Sequence, residues 1–429
     1  MRRLLLLAAF AAVACGTRAP KEESMAQLRE RVFSLAQAQA VYMDSLLMAK
    51  MPGQAGHDGG ENVMAGQDIV DVMAGPDRPS LCPRTFQGDT LVTSDIGWWT
   101  SGFYPGVLWQ IYGETADTLF RQLAVKHTLP LAGLLNRETD HDIGFQLMCS
   151  FGQWFWIDFF DPREEDVLPP LEIKGILEKG AGKLASRFLP TAGIMRSWNG
   201  NRWNIPVIID NMMNLELLME YGDREVAEKH ALTTARNHFR EDGTTFHLVD
   251  YADDGSVLGQ QTVQGYADDS AWARGQAWAL YGYAMMALEE KKAGNMDLVD
   301  AFYGVAAKLE DWLYAHLPED GIPYWDFSQS DYKDASAGAI IACGLLKLWG
   351  LRGSPDDDPA LAMAERILRT LASPEYLAEP RTNGGFLLKH GVGNLPGHSE
   401  VDVPLTYADY YFLEALTLYP VPATSLNNN

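Results

Sequence analysis

The sequence alternates between two kinds of helical segment, and this alternation limits the folds that the chain can adopt. Six segments are apolar on nearly every face, and each follows a polar or charged residue. Between them lie segments with apolar residues on one face only, which predict amphipathic helices. These amphipathic segments fall at about 25–50, 115–133, 170–188, 223–239, 297–316 and 357–372. The polar residues before the six apolar segments are Ser101, Asp142, Asp210, Asp269, Asp334 and Asp402.

An apolar helix has to be covered on all sides, whereas an amphipathic helix needs cover on one face only. Six apolar helices that alternate with six amphipathic ones therefore predict an inner ring of six inside an outer ring of six, an all-α (α/α)6 barrel. The inner helices of such a barrel run in the same direction. The residues before them, including Asp142 and Asp210, would then meet at one mouth, whatever their separation in sequence.

The repeat spans nearly the whole chain of 429 residues, and it predicts a single domain over residues 24–420. The N-terminus has the pattern of an export signal, because Arg2 and Arg3 precede a short apolar run that ends at Cys15. Residues 1–15 are therefore interpreted as a signal peptide, and the small residues before Cys15 favour a lipoprotein leader. We expect a bacterial protein that is exported, either periplasmic or anchored to the membrane by a lipid, with no membrane span.

Charge and motifs argue against several classes of function. A formal net charge of −23 disfavours nucleic acid as a partner, because phosphate binding needs a basic surface. Beyond the leader, Cys82, Cys149 and Cys343 have neither metal-site spacing nor the even number of a disulfide framework. No metal, phosphate or dinucleotide motif occurs in a fitting context. We expect no metal and no cofactor.

Two of the six polar residues are candidate acids. Asp210 interrupts the apolar run in PVIIDNMMNLELL where a helix begins, and Asp142 has the same position in HDIGF. An aspartate there is commonly only a helix cap, but two carboxylates at one mouth can do acid–base chemistry. The apolar neighbours of Asp210 predict a raised pKa by desolvation. Asp142, beside His141 and Asp140, is expected to lie in a wetter and more polar setting.

Aromatic residues and one arginine are expected at the same mouth. Of the 12 tryptophans, several fall close to the starts of apolar helices, which favours a sugar site because pyranose faces stack on aromatic rings. In QGYADDSAWARGQAW, Arg274 and Trp278 share one helix face. A buried guanidinium needs a partner. Arg274 is therefore predicted either to pair with Asp268 or Asp269 or to bind a substrate carboxylate bidentately.

Four motifs resemble, in order, those of the unsaturated glucuronyl hydrolases, glycoside hydrolase family 88. They are HDIGF, SWNGNRWNIPVIIDNMMNLELL, QGYADDSAWARGQAW and EVDVPLTYADYYFLEAL, and the resemblance extends from about Trp98 to Leu416. It implies the same barrel. It also implies hydrolysis of the unsaturated uronic acid that polysaccharide lyases leave at the non-reducing end of oligosaccharides. In that family the vinyl ether is hydrated: a proton reaches C4, water adds at C5, and the resulting hemiketal opens and releases the aglycone.

The resemblance further implies roles for single residues. The acid/base of the family falls on Asp210 and its second carboxylate on Asp142. Contacts to the unsaturated sugar fall on Trp99, His141, Trp198, His247, Gln264, Arg274 and Trp278, with Trp203 as a substitute for Trp198.

Three other functions stay open at this point. The nearest is unsaturated rhamnogalacturonyl hydrolase, which has the same barrel and a different leaving sugar. A polysaccharide lyase would need a Tyr or His base beside a group that neutralises a carboxylate. A non-catalytic glycan-binding lipoprotein would need the tryptophans, but it would not need two carboxylates at the starts of inner helices.

Overall fold

The computed structural model describes residues 23–50, 81–160 and 168–421. Its helices follow the predicted alternation. In chain order they are α1 (Met25–Lys50), α2 (Phe103–Thr115), α3 (Thr118–Thr128), α4 (Ile143–Leu147), α5 (Gln153–Phe160), α6 (Pro170–Ala185), α7 (Asn211–Tyr221), α8 (Arg224–Asn237), α9 (Ala273–Ala293), α10 (Met296–His316), α11 (Ala335–Leu351), α12 (Pro359–Leu371) and α13 (Thr406–Leu418). The predicted leader, including Cys15, lies outside the described residues.

These helices form the two rings of an (α/α)6 barrel. The inner ring consists of α2, α4 continued through a π-helical turn into α5, α7, α9, α11 and α13. It closes where α13 packs against α2. The inner helix α11 buries 14 of its 17 residues, whereas the outer helix α8 buries five of 14. This difference in burial follows from the apolar and amphipathic patterns of the two segments.

A glycine lets two inner helices approach closely at the site described below. A Cβ atom at Gly144 would lie 2.5 Å from Oδ1 of Asn214, closer than real Cβ contacts allow. The first turn of α4 can therefore pack against α7 only because residue 144 has no side chain. This contact holds the start of α4, where Asp142 lies, beside the first turns of α7, which begins directly after Asp210.

The connections from each outer helix to the next inner helix are mostly long and carry short antiparallel strands. These strands are β1 (Cys82–Gln87), β2 (Thr90–Ser94), β3 (Phe188–Leu189), β4 (Ile194–Met195), β5 (Ile205–Ile208), β6 (Leu248–Tyr251), β7 (Val257–Gln261), β8 (Gly391–Asn394) and β9 (Ser399–Val403). The opposite connections are short, as between α2 and α3 or between α7 and α8. The long connections gather at the N-terminal ends of the inner helices, and that end is the mouth where a site can be built.

Two of the six polar residues do not begin inner helices, which corrects the sequence interpretation. Asp269 lies in a loop, and α9 begins only at Ala273. Asp402 lies in β9 with a φ of 53°, and its Oδ1 is 2.7 Å from Nδ1 of His390. An Asp before an apolar run locates a helix to within a few residues, but it does not identify the residue at which the helix begins.

The three cysteines of the described residues are free thiols. Cys149 and Cys343 are buried within the inner ring, where they pack as small apolar side chains. Within the described ranges, no helix combines the length and the apolar character needed to cross a membrane.

Candidate active site

Asp210 lies at the junction of β5 and α7 without acting as a helix cap. Its backbone is already helical, with φ −53° and ψ −26°, and its side chain makes no capping hydrogen bond. The residue is 8% exposed, and its Oδ2 has no hydrogen-bond partner. Burial therefore raises the pKa of Asp210 to about 6, although Arg274, its own backbone N–H and the Trp278 indole lower it. A carboxyl with this pKa exchanges protons readily near neutrality.

Asp142 holds the matching position before α4 and also makes no capping hydrogen bond. The pKa of Asp142 is raised well above its usual range, first by burial and then by the charges of Asp140 and Asp210. The expectation of a wetter setting for Asp142 is wrong. The side chains of Asp142 and Asp210 are 13% and 12% exposed, so the two carboxyls are equally desolvated.

A histidine faces each carboxyl. Nε2 of His141 is 3.5 Å from Oδ1 of Asp142, and Nε2 of His247 is 3.8 Å from Oδ2 of Asp210. His247 is 3% exposed and has its pKa lowered to about 3 by burial, so its ring is neutral. Its Nδ1 accepts a hydrogen bond from the backbone N–H of Val263 at 3.0 Å. The hydrogen-bond network therefore places the ring proton on Nε2, directed at Asp210.

The same inference applies to His141 through the side chain of Asn214. Oδ1 of Asn214 accepts from the backbone N–H of Phe145 at 2.7 Å, which assigns the amide nitrogen of Asn214 as the donor. That nitrogen is 3.3 Å from Nδ1 of His141. Nδ1 is then the acceptor, and Nε2 carries the proton toward Asp142. Burial lowers the pKa of His141 well below its usual value, so this ring is neutral too.

Arg274 is 1% exposed and makes its ion pair with Asp334, not with Asp268 or Asp269. Nη1 lies 3.2 Å from Oδ2 of Asp334, and the same guanidinium donates to the backbone carbonyls of Val392 and Gly393 in β8. Nε2 of Gln264 donates to the carbonyl of Gly393 at 3.3 Å. Arg274 and Gln264 thus both donate to the backbone carbonyl of Gly393. Their contact with substrate stays a prediction.

The tryptophans of the site differ in how deeply they are buried. The Trp99 ring is 4.8 Å from that of Tyr407 and is partly exposed, as a platform for a sugar has to be. Trp198 is also partly exposed, and its ring is 6.1 Å from that of His247. Trp278 is fully buried, with its ring packed against Phe145. For Trp278, the indole N–H near Asp210 is the part available for the chemistry of the site.

Known proteins share this sequence and fold. The chain is 39% identical over 335 residues to an unsaturated glucuronyl hydrolase of Formosa agariphila, a match that covers 74% of this chain and 79% of that protein. This chain belongs to the unsaturated glucuronyl hydrolases. It is therefore a glycoside hydrolase. A scan against protein-family models found no match.

Solved structures of unsaturated glucuronyl hydrolases agree with the fold. A crystal structure described as specific for heparin has a TM-score of 0.72 at 36% identity and covers 89% of this chain and 97% of its own. Another, described as a complex with dGlcA-Glc-Rha-Glc, has a TM-score of 0.71 at 28% identity and covers 90% of this chain and 96% of its own. The (α/α)6 barrel predicted from the helix pattern is confirmed.

The sequence interpretation of this unsaturated glucuronyl hydrolase placed Asp334 at the mouth, but it gave no role in the site to Asp334, Trp272 or Asn214. Asn214 fixes the tautomer of His141, and Asp334 holds Arg274. Trp272 lies between the two halves of the site, with its ring 4.6 Å from that of His247 and 4.6 Å from the guanidinium carbon of Arg274. A signal for Asn214 was present, because it is an amide within an apolar helix, four residues after Asp210 and therefore on the same helix face.

No group of three or more His, Cys, Asp and Glu side chains in the described part of the chain is arranged to hold a metal ion.

Proposed function

We propose that this enzyme removes the 4,5-unsaturated uronic acid from the non-reducing end of oligosaccharides made by polysaccharide lyases, and that Asp142 and Asp210 carry out the reaction. The observation that carries this proposal is the pair of buried carboxyls, neither of which caps the helix that it precedes. A buried carboxyl oxygen without a hydrogen-bond partner, such as Oδ2 of Asp210, destabilises the fold, so its retention needs a functional reason. Relatives named for the same activity support this interpretation.

The proposal assigns proton transfer to Asp210. An acid that protonates C4 of the vinyl ether and then accepts a proton from the water that adds at C5 needs a pKa close to the working pH. The pKa of about 6 at Asp210 meets this requirement. The hydration product is a hemiketal at C5, which opens and releases the aglycone without a covalent bond to the enzyme.

Asp142 has a different task in this proposal. Burial and the charges of Asp140 and Asp210 raise the pKa of Asp142 well above the usual range, which favours the protonated form as a donor of a hydrogen bond to the substrate. The neutral Nε2–H groups of His141 and His247 point at the two carboxyls, and each can shift to a substrate oxygen or to the attacking water. Trp99, Trp198, Gln264, Arg274 and Trp278 complete the proposed substrate contacts.

The test is loss of the double-bond ultraviolet absorbance of an unsaturated disaccharide. Asp210→Asn keeps the shape of the side chain but cannot transfer a proton, so kcat should fall at least about a hundredfold with KM largely unchanged. Asp142→Asn, which can still donate a hydrogen bond, should lose less. If both variants retain wild-type turnover, the carboxyl pair is not the catalytic machinery. The roles are exchanged if only Asp142→Asn is inactive.

Assays with two further substrates distinguish this activity from the alternatives. Unsaturated rhamnogalacturonyl disaccharide should be consumed more slowly than unsaturated glucuronyl disaccharide, because the relatives support the glucuronyl activity. Intact polymer should produce no new ultraviolet absorbance, whereas a polysaccharide lyase would produce it. Binding of oligosaccharide without turnover would indicate the non-catalytic glycan-binding protein.

We also propose that the protein is exported and lipidated at Cys15. The basic pair Arg2 and Arg3, the apolar run and the small residues before Cys15 support this proposal. Mass spectrometry of the protein from bacterial membranes should find an N-terminal, acylated Cys15. An unmodified chain that begins at another residue would rule lipidation out.

A further inference from the structure

A row of rings leads outward from Asp210 and ends at an arginine. His247 lies 3.8 Å from Asp210, and the ring of Trp198 is 6.1 Å from that of His247. The Trp203 ring is 5.5 Å from that of Trp198, and the guanidinium carbon of Arg202 lies 4.3 Å from the centre of the Trp203 ring. We name Trp198, Trp203 and Arg202 the outer row. Trp198 is the member nearest to the carboxyl pair, Trp203 is the next, and Arg202 is the outermost.

The guanidinium of Arg202 is available to a ligand. Arg202 is exposed. Among the residues that the structure describes, the only side chain that it contacts by a hydrogen bond, an ion pair or stacking is the Trp203 ring. The carboxylate of Asp250, which binds the backbone directly after this loop, already accepts from the N–H groups of Asn204 and Ile205 at 3.2 and 2.8 Å. In a chain with a net charge of −23, a stacked cation without an acidic partner is suited to an anionic ligand.

Hydrogen bonds hold the loop that carries the outer row in place. Arg196 donates to the carbonyls of Trp198 and Gly200 at 2.9 and 2.8 Å. The indole N–H of Trp203 donates to Oε1 of Gln261 at 3.2 Å, which ties the ring to β7. Because the two rings are positioned before binding, a sugar chain that stacks on them loses little affinity to the ordering of protein side chains.

We propose that the outer row binds the aglycone and that Arg202 contacts the carboxylate of a second uronic acid within it, an inference that rests on the proposed function. In a polysaccharide that alternates uronic acid with hexosamine, the unsaturated unit is followed by a hexosamine and then by a uronic acid. The resemblance assigns Trp198 to the unsaturated sugar, but this proposal assigns it to the hexosamine, because its ring lies beyond that of His247 as seen from Asp210. Trp203 and Arg202 lie one ring further out, where a flat aromatic face and a cation match a uronate.

The test compares three substrates: the unsulfated unsaturated chondroitin disaccharide, the corresponding tetrasaccharide, and dGlcA-Glc-Rha-Glc, whose aglycone is neutral. Arg202→Gln should lower kcat/KM for the chondroitin tetrasaccharide by about tenfold, the loss expected for one charge-assisted hydrogen bond. It should leave the other two substrates within about twofold. The loss should shrink as salt is added, because the contact is exposed. Arg366→Gln, on the outer helix α12, removes the same charge far from the mouth and is the control.

The rings are tested separately. Trp203→Ala should lower kcat/KM for both tetrasaccharides and spare the disaccharide, and Trp203→Phe, which keeps a ring, should restore most of the activity. Equal losses on all three substrates, or no loss with Arg202→Gln on the charged tetrasaccharide, would overturn the proposal. A loss with Arg202→Gln on the disaccharide dGlcA-GalNAc6S would overturn it as well, because Arg202 would then read a sulfate on the first sugar. Failure of the wild type to consume any substrate would instead refute the proposed function.

Discussion

The carboxyl of Asp210 stays partly protonated near neutral pH at a cost to folding stability. Its pKa is about 6 in the folded protein and near 3.8 when exposed, so the folded state binds the proton more tightly. This contribution to stability is present below pH 3.8 and is lost as the pH rises through 6. Asp210→Asn should therefore be more stable than the wild type at pH 7, by up to about 3 kcal/mol, and equal to it at acid pH. Thermal unfolding at several pH values measures this difference, and a lower melting temperature for Asp210→Asn at pH 7 would contradict the burial argument.

The pH dependence of turnover follows from the same group. The profile of kcat/KM should fall on the alkaline side of a pKa of about 6, where Asp210 loses its proton. Burial is the main cause of this pKa, and Asp142 is not among its causes. Asp142→Asn should therefore leave the alkaline limb of the profile in place while it lowers the rate. A limb displaced to lower pH in this variant would mean that Asp142 is ionised in the active enzyme.

Asn214 is a positioning residue, because it acts on the site through His141. Asn214→Asp still accepts from Phe145 but cannot donate to Nδ1 of His141, so the ring proton should move to Nδ1 and leave Nε2 facing Asp142 without a proton. We expect kcat to fall at least about tenfold, the equivalent of one hydrogen bond. Nitrogen NMR of the histidines would detect the change of tautomer directly. Asn295→Asp, at an exposed helix start, is the control, and an unchanged His141 tautomer would refute the role.

At the scale of elements, Arg274 joins three parts of the barrel. It lies in the first turn of α9, pairs with Asp334 at the start of α11, and donates to two carbonyls of β8. Arg274→Lys keeps the charge but cannot reach all of these acceptors. The variant should be less stable by about 2–5 kcal/mol, as for a broken buried network, and its KM should rise because β8 and β9 move. An unchanged melting temperature with a raised KM would show that Arg274 serves the substrate alone.

An element can be predicted from the sequence when the residues whose interactions form it lie close together in the chain. The bounds of α1, α8 and α10 lie within about two residues of the predicted segments, because a helix face is set by residues three or four apart. The strands β3 to β9 were missed for the opposite reason. β5 pairs with β6 across two intervening helices, α7 and α8, and such a distant pairing leaves no periodic pattern in the sequence of either strand.

The same distinction between local and long-range interactions applies to the residues of the candidate site. The positions of Asp142 and Asp210 at the starts of inner helices could be predicted, because a carboxylate before an apolar helix is a local pattern. The partner of Arg274 was not found, because Asp334 lies 60 residues away and meets it only through the closed ring. The wet setting predicted for Asp142 from its polar neighbours was wrong for a related reason. Burial at the mouth is decided by loops that pack there from distant parts of the chain.

At the scale of the whole molecule, the inner ring carries a second group of ionisable side chains, away from the mouth. Its members lie in the middle or the C-terminal half of their inner helices, and they are Glu216, Glu220, Lys347 and Glu414. The three glutamates line a cavity of about 80 Å³. Nζ of Lys347 is 3.5 Å from Glu414, whose Oε1 also accepts from the hydroxyl of Tyr281 at 2.7 Å. One lysine therefore faces two of these carboxyls, Glu216 and Glu414, in the barrel interior.

This imbalance predicts how the stability of the whole barrel changes with pH. Burial, opposed by Lys347 and reinforced by Glu220 and Glu414, raises the pKa of Glu216 from 4.5 to about 8. A raised carboxyl pKa stabilises the folded state below pH 4.5, and this contribution is lost as the pH rises through 8. Glu216→Gln does not titrate and should unfold at a higher temperature than the wild type at pH 9, by about 2 kcal/mol once solvent screening is allowed for.

The same variant should match the wild type near pH 5, where Glu216 is protonated and resembles glutamine. Glu30→Gln, on the exposed side of α1, makes the same chemical change without burial and should leave the melting temperature unchanged at both pH values. Turnover of the unsaturated disaccharide should be unaffected by either change, because both residues lie away from the mouth. If Glu216→Gln lowers the melting temperature at pH 9, the ionised Glu216 is a net stabilising partner of Lys347, and the interior of the barrel tolerates charge better than its burial indicates.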